Sequence, residues 1–136
     1  MVQVDQFKAV LQKYGERAVE TILWEIGSRM PNYIRSEDIP CRFSKKAFAI
    51  ILPGADLSIT EARAEKIRYE AASLSVLYKS KLLEISLSVG VASLPHHVDN
   101  CSDLIRLAEK SLFDAFNAGG NQVVIAGQKQ TQTVAS

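Results

Sequence analysis

Residues 31–53 read PNYIRSEDIPCRFSKKAFAIILP, and the stretch divides into a helix stop, a charged loop and a hairpin. Cys41–Phe43 is a short strand candidate, Ala47–Leu52 is a buried one, and Ser44-Lys45-Lys46 lies between them as a polar reversal. Pro31 closes the helix before it, and Pro53-Gly54 turns the chain after it. A hairpin tip is a rigid place to hold a reactive group. This tip offers two lysines and no carboxylate, histidine or glycine. Just upstream, Arg35 and Asp38 stand three residues apart. The functional reading turns on that contrast between an emptied tip and an Arg/Asp pair.

Outward from the hairpin the patterns alternate between helical and extended. Met1–Val4 reads as the end of a strand. Asp5 is placed to cap a helix with Phe7, Val10, Leu11 and Tyr14 on one face, stopped by Gly15. A second helix, about Glu16–Arg29, carries the stripe Val19, Ile22, Leu23, Ile26 and Met30. Downstream, Ser58 and Glu61 fit a capping box for a helix running to about Leu74, and Val76–Tyr78 reads as a short edge strand. Leu83, Ile85, Leu87, Val89 and Val91 alternate with Glu84, Ser86, Ser88 and Gly90, the cleanest period-two signal in the chain. The small residues on its second face leave room for a helix to pack closely. Ser102 caps a last helix, Gly119-Gly120 ends it, and Gln122–Ala126 is the final strand. The order predicts an α/β (α+β) sandwich with one central, mostly antiparallel sheet flanked by helices. Residues 1–126 form the domain, and 127–136 read as a polar disordered tail.

Bulk properties exclude several classes. The chain has 136 residues, enough for one domain with a core, and its 47% hydrophobic and 23% charged content is that of a soluble globular protein. A net charge of +1 gives no electrostatic case for nucleic acid. The longest apolar run, Ala47–Pro53, is too short for membrane insertion. Cys41 and Cys101 lack metal-ligand spacing and point to free thiols in a cytoplasmic protein.

Several segments, in order, carry a resemblance: Asp5-Gln6-Phe7-Lys8, Tyr14-Gly15, Ile39 to Phe43, Ala64 to Arg68, Ser86 to Ala92, and Ala108 to Val123. Together they resemble the GGDEF domain, the diguanylate cyclase fold, over about Val2 to Val124. The resemblance implies a nucleotidyl-cyclase-like fold and a starting point partway through that family's first strand, without its leading helix. Such a start leaves a sheet edge open. It also places Ser44-Lys45-Lys46-Ala47-Phe48 where the Gly-Gly-Asp/Glu-Glu-Phe signature stands.

The altered signature bears on chemistry. A cyclase brings a 3′-hydroxyl to the α-phosphate of GTP with divalent metal bridging triphosphate and carboxylates. The resemblance aligns the metal-holding acids with Lys46 and Gln3, the guanine-reading Asn with Leu11, and two phosphate-holding cations with Phe116 and Gly120. Only Glu20 keeps an acid at a guanine-reading position. The expectation is therefore no catalytic residue, no metal ligand and no cofactor, the family's magnesium site being lost.

Arg35 and Asp38 resemble the family's R-x-x-D site for its product, cyclic di-GMP, with Lys66 aligned to an arginine that completes it. An arginine fork donates to guanine O6 and N7, and an aspartate accepts from guanine N–H groups. The alternative is a solvated loop pair of little energetic weight. Other candidates weigh toward ordinary roles: Lys45 and Lys46 as a solvated turn, His96-His97 as loop residues, and Cys41 as a small buried hydrophobe. Trp24 lies off its helix stripe, with a contact surface as one reading and the ordinary exposure of a single large residue as the other, whereas at least one of Phe113 and Phe116 is expected in the core. Three functions remain open: a silent cyclic di-GMP receptor, a scaffold pairing with a second copy or another protein, and a residual cyclase.

Overall fold

The computed structural model describes residues 1–127, so the expected tail from residue 128 onward lies outside the described residues. Three residues organise the rest. β1 (Val2–Val4) pairs antiparallel on one side with β3 (Ala47–Ile51) and on the other with β6 (Leu87–Val91). β2 (Ile39–Arg42) extends the sheet antiparallel to β3, and β7 (Gln122–Ile125) extends it parallel to β6. The order is β2-β3-β1-β6-β7, the mostly antiparallel sheet expected. The helices are α1 (Phe7–Tyr14), α2 (Glu16–Arg29), α3 (Leu57–Ala72) and α4 (Cys101–Asn117). A separate two-stranded ladder joins β4 (Ser75–Tyr78) to β5 (Lys81–Glu84).

Strand alternation gives the sheet two different faces. Val2, Phe48 and Val89 stand opposite one another in register. They belong to a core cluster with the whole predicted α2 stripe and with Ala64, Ile67 and Ala71 of α3. The other face is lined by small residues. A Cβ on Gly90 would lie 2.2 Å from the Leu112 backbone nitrogen and 2.4 Å from the Ala108 carbonyl oxygen, so α4 sits directly on this glycine. The α1–α2 junction is one residue, Gly15 at φ +89°, a value that L side chains rarely adopt.

The local signals are corrected in several places. Asp5 does not cap α1, since Gln6 holds that position without a side-chain cap. The Asp5 carboxylate instead accepts from Ser86 Oγ at 2.6 Å, from Ser88 Oγ, and from the Asn121 amide at 2.8 Å, bolting β1 to β6 and to the α4–β7 turn. Asp56, not Ser58, caps α3 by accepting from Ile59 N–H at 2.9 Å, and Ser58 donates to that same carboxylate. Asn100, not Ser102, caps α4 through the Asp103 amide. The alternating run from Leu83 to Val91 is two strands in two sheets. The break falls at Ser86, whose backbone is taken by the Asp5 amide and the Gln6 side chain. Cys41 is exposed because β2 is an edge strand with all four residues in solvent. Phe113 and Phe116 are 64% and 41% exposed, and neither joins the core. The buried stripe of α4 is Ser111, Leu112 and Ala115.

Candidate functional site

Two places on the hairpin carry the expected chemistry. At the tip, Phe43 and Ser44 amides both donate to the Ala47 carbonyl, at 2.9 and 3.2 Å, and close the turn around Lys45 and Lys46. Ala47 and Phe48 are buried at the head of β3, whereas Ser44, Lys45 and Lys46 are exposed. Arg42 leans over the Phe48 ring and faces Glu20 at 3.7 Å, which gives Glu20 a salt-bridge partner of its own. Gln3 pairs across the sheet with Ala47. The positions that the resemblance assigns to metal-holding acids are thus an amide at Gln3, paired with the buried Ala47, and an ammonium on the exposed Lys46 next to Ala47 in the chain. None supplies an anionic oxygen, whereas protein sites for hard divalent cations are usually anchored by one or two carboxylates. These residues do not fit magnesium. Among the described residues no three His, Cys, Asp or Glu side chains converge on a point.

At the foot of the hairpin the loop before β2 holds Arg35 and Asp38 in a closed arrangement. Arg35 Nε and Nη2 donate to Asp38 Oδ1 at 3.0 and 2.7 Å, and the Arg35 amide donates to Asp38 Oδ2 at 2.7 Å. The Asp38 amide donates back to the Arg35 carbonyl at 3.1 Å, and Arg35 Nη2 also reaches the Pro53 carbonyl at 3.0 Å. One guanidinium therefore fastens the loop to the end of β3. This is not a solvated pair, because the Asp38 side chain is 0% exposed and that of Arg35 is 22% exposed. Burial pushes the Asp38 carboxyl upward. The hydrogen bonds from Arg35 and the charges of Arg35 and Arg63 outweigh it, and the carboxyl is held below its ordinary value. Both Asp38 oxygens face inward onto Arg35. Arg35 Nη1 keeps only a 3.6 Å contact with Glu37 Oε2.

Lys66, expected to complete this site, lies exposed on α3. The α3 cation whose charge is felt at Asp38 is Arg63, which the sequence reading missed. Its signal was available in principle, since Arg63 and Lys66 are three apart and share a helix face. Away from both places, Trp24 is 69% exposed on α2, as its position off the stripe predicts. His97 Nδ1 accepts from the Ser93 amide at 2.9 Å within its own loop. No helix among the described residues is long and apolar enough to cross a membrane.

Known proteins resemble the chain over this whole arrangement. The family model described as "Diguanylate cyclase, GGDEF domain" matches residues 1–122. Diguanylate cyclase A of Treponema denticola is 26% identical over 126 residues, which is 93% of this chain and 34% of that protein. The response regulator PleD of Caulobacter vibrioides is 26% identical over 126 residues, 91% of this chain and 28% of its own length. The chain spans about a third of the length of the curated relatives it matches. Among solved structures, diguanylate cyclase SiaD from Pseudomonas aeruginosa, in complex with its activator SiaC, gives a TM-score of 0.85 at 28% identity, covering 92% of this chain and 48% of that one. The GGDEF domain of DgcB from Caulobacter crescentus, in complex with c-di-GMP, gives 0.82 at 21% identity, covering 91% and 74%, a likeness of fold alone.

Proposed function

The chain belongs to the GGDEF family of diguanylate cyclase domains, and from that premise we propose that it is a catalytically silent member that recognises cyclic di-GMP at Arg35 and Asp38. The observation that carries the reading is the pairing of a built, partly sheltered arginine with a hairpin tip that has no anionic oxygen for a metal. Chemistry at the tip needs magnesium and the tip repels it; recognition at the foot needs an oriented guanidinium and Asp38 orients one. In this arrangement Asp38 is a positioning residue. The ligand's guanine takes the place of Glu37 at Arg35 Nη1, and the dinucleotide's phosphates meet the cations of α3, Arg63 and Lys66. The DgcB likeness supports the choice of ligand class, since that domain is described with c-di-GMP bound.

Calorimetry of the purified chain with cyclic di-GMP tests it. Saturable heat that disappears in Arg35→Ala is expected, and no heat at high micromolar ligand overturns the receptor half. Incubation with GTP and magnesium tests the other half: formation of cyclic di-GMP by the purified chain overturns catalytic silence.

A second reading has its own observation. The Asp38 carboxylate is already satisfied and fully covered, and the exposed Trp24 offers a contact surface. A scaffold that pairs with a second copy or another protein, and binds no nucleotide, is the function that an absence of heat would leave standing.

A further inference from the structure

The β4–β5 ladder stands outside the main sheet and has two unlike faces. Val76 and Leu83 lie opposite one another and belong to the core cluster, and the Tyr78 ring meets Tyr14 of α1 edge-on at 6.5 Å. These contacts anchor the hairpin by its inner face. Strand alternation turns Ser75, Leu77, Leu82 and Glu84 the other way. Leu77 and Leu82 are direct cross-strand partners on that outer face, 63% and 68% exposed.

The ends of the hairpin carry opposite charge. Its two-residue loop is Lys79-Ser80, with both φ values positive at +48° and +69°. A loop of this shape ordinarily takes Asn-Gly, because other L side chains are strained there. The strained pair keeps a lysine at the tip, and Lys81 adds a second exposed cation beside it. Lys79 holds its ammonium 5.5 Å from the Tyr78 ring centre, an exposed cation–π contact of small weight. At the base of the outer face Glu84 has no ion-pair partner among the described residues. The outer face thus runs from a basic tip, through two leucines, to an acidic base. Glu84 lies two residues from Leu82 and Lys79 lies two residues from Leu77, roughly 7 Å along the ladder in each direction.

We propose that this face is a self-complementary interface, through which two copies of the chain stack their β4–β5 hairpins head to tail about a two-fold axis. With the axis at the leucine pair, Leu77 and Leu82 pack on the same residues of the second copy. Glu84 of each copy then meets Lys79 of the other, so two ion pairs form together and the contact closes on itself. Tip-to-tip stacking sets lysine against lysine, and like charge excludes it. An anionic lipid surface also attracts lysines, but it repels Glu84 on the same face. The contact needs neither cyclic di-GMP nor the Arg35 loop.

Four leucines make less than a standard interface, so the dimer is a weak one. Sedimentation velocity of the full 136-residue chain from about 20 µM to about 1 mM should show a reversible monomer–dimer equilibrium. Concentration-dependent amide NMR shifts should be confined to Ser75–Glu84. Glu84 and Lys79 are both exposed, so reversing either charge leaves the fold in place. Glu84→Lys and Lys79→Glu each set like charges together and should weaken self-association by about tenfold or more. An equimolar mixture of the two variants restores both ion pairs and should dimerise as the parent does. A parent that stays monomeric throughout the range, shifts centred on another face, Glu84→Lys dimerising like the parent, or a mixture that stays monomeric overturns the proposal. Retention of a monomeric parent on phosphatidylglycerol vesicles, lost in Leu77→Ser, assigns the face to lipid and overturns it as well.

Discussion

Replacing Gly90 by alanine should be among the most damaging single-methyl additions to this protein. The added Cβ would lie 2.2 Å from Leu112 N, 2.4 Å from Ala108 O and 2.8 Å from Leu112 Cα, all backbone atoms of α4. Backbone cannot swing aside as the end of a side chain does. Relief to an ordinary contact of about 3.4 Å requires α4 to retreat by about 1.2 Å, the difference between 3.4 and 2.2. A gap of 0.5–1 Å already forfeits roughly a quarter to a half of each contact's dispersion energy along a helix face. Overpacking costs about 1–3 kcal/mol and occasionally more. For a clash against backbone we expect about 3 kcal/mol, and with a urea slope of about 2 kcal/mol/M the midpoint falls by about 1.5 M. Gly27→Ala supplies a comparison of opposite sign. It lies within α2, and its Cβ would meet the Phe48 ring at an ordinary 3.6 Å. There alanine's better helix propensity should raise stability by roughly 0.5–1 kcal/mol. Urea unfolding of the three proteins, followed by circular dichroism, decides the matter. A Gly90→Ala midpoint within about 0.5 M of the parent would refute the close seating of α4 on β6.

The remaining expectations concern polar groups and thiols. Asp38 sits below its ordinary carboxyl value of 3.8 in the folded chain, so its contribution is present above that value and lost as pH falls through its lower, folded one. Asp38→Asn should therefore flatten the loss of stability below about pH 4, read from thermal midpoints between pH 5 and 2; an unchanged acid limb would contradict the pairing. Asp5→Ala strips the acceptor from two serine hydroxyls and one amide, and should cost about 2–3 kcal/mol while speeding hydrogen exchange at Asn121; exchange at the parent rate would show that the latch is dispensable. Cys41 and Cys101 are both exposed, so two thiols per chain should titrate with Ellman's reagent without denaturant, and a count of one would return Cys41 to the interior.

The sheet and its helices were legible where periodicity was strong. The α2 stripe from Val19 to Met30 is buried throughout, and the small face at Ser88 and Gly90 does receive a helix. Caps were not legible, because Asp56 and Ser58, or Asn100 and Ser102, are equivalent acceptors in a string of letters. Which one stands just outside the helix depends on where the incoming turn leaves the chain. The single alternating run was misread as one strand because period two survives across a corner. The Asp5 and Gln6 bonds to Ser86 that make the corner join residues 80 or more apart. At the candidate site, Arg35 and Asp38 came forward through the resemblance to the family's R-x-x-D spacing. The sequence could not tell a sealed pair from a solvated one, because the covering of Asp38 comes from tertiary packing. Arg63 was passed over for Lys66 for the same reason: both are α3 cations, and only docking of the helix decides which one Asp38 feels.

The keystone position of Val2–Val4 has a consequence for synthesis. These residues pair with Phe48 and Ala47 on one flank and with Leu87 to Val89 on the other. At about 5–20 residues per second, the first flank is made roughly 2–9 s after Val2, from 48 minus 2 residues. The second follows after roughly 4–17 s, from 89 minus 2 residues. A nascent chain therefore holds its central strand in waiting until about two-thirds of the polypeptide exists, residue 89 of 136, and the ribosome, not the hairpin, sets the earliest moment at which this sheet can close.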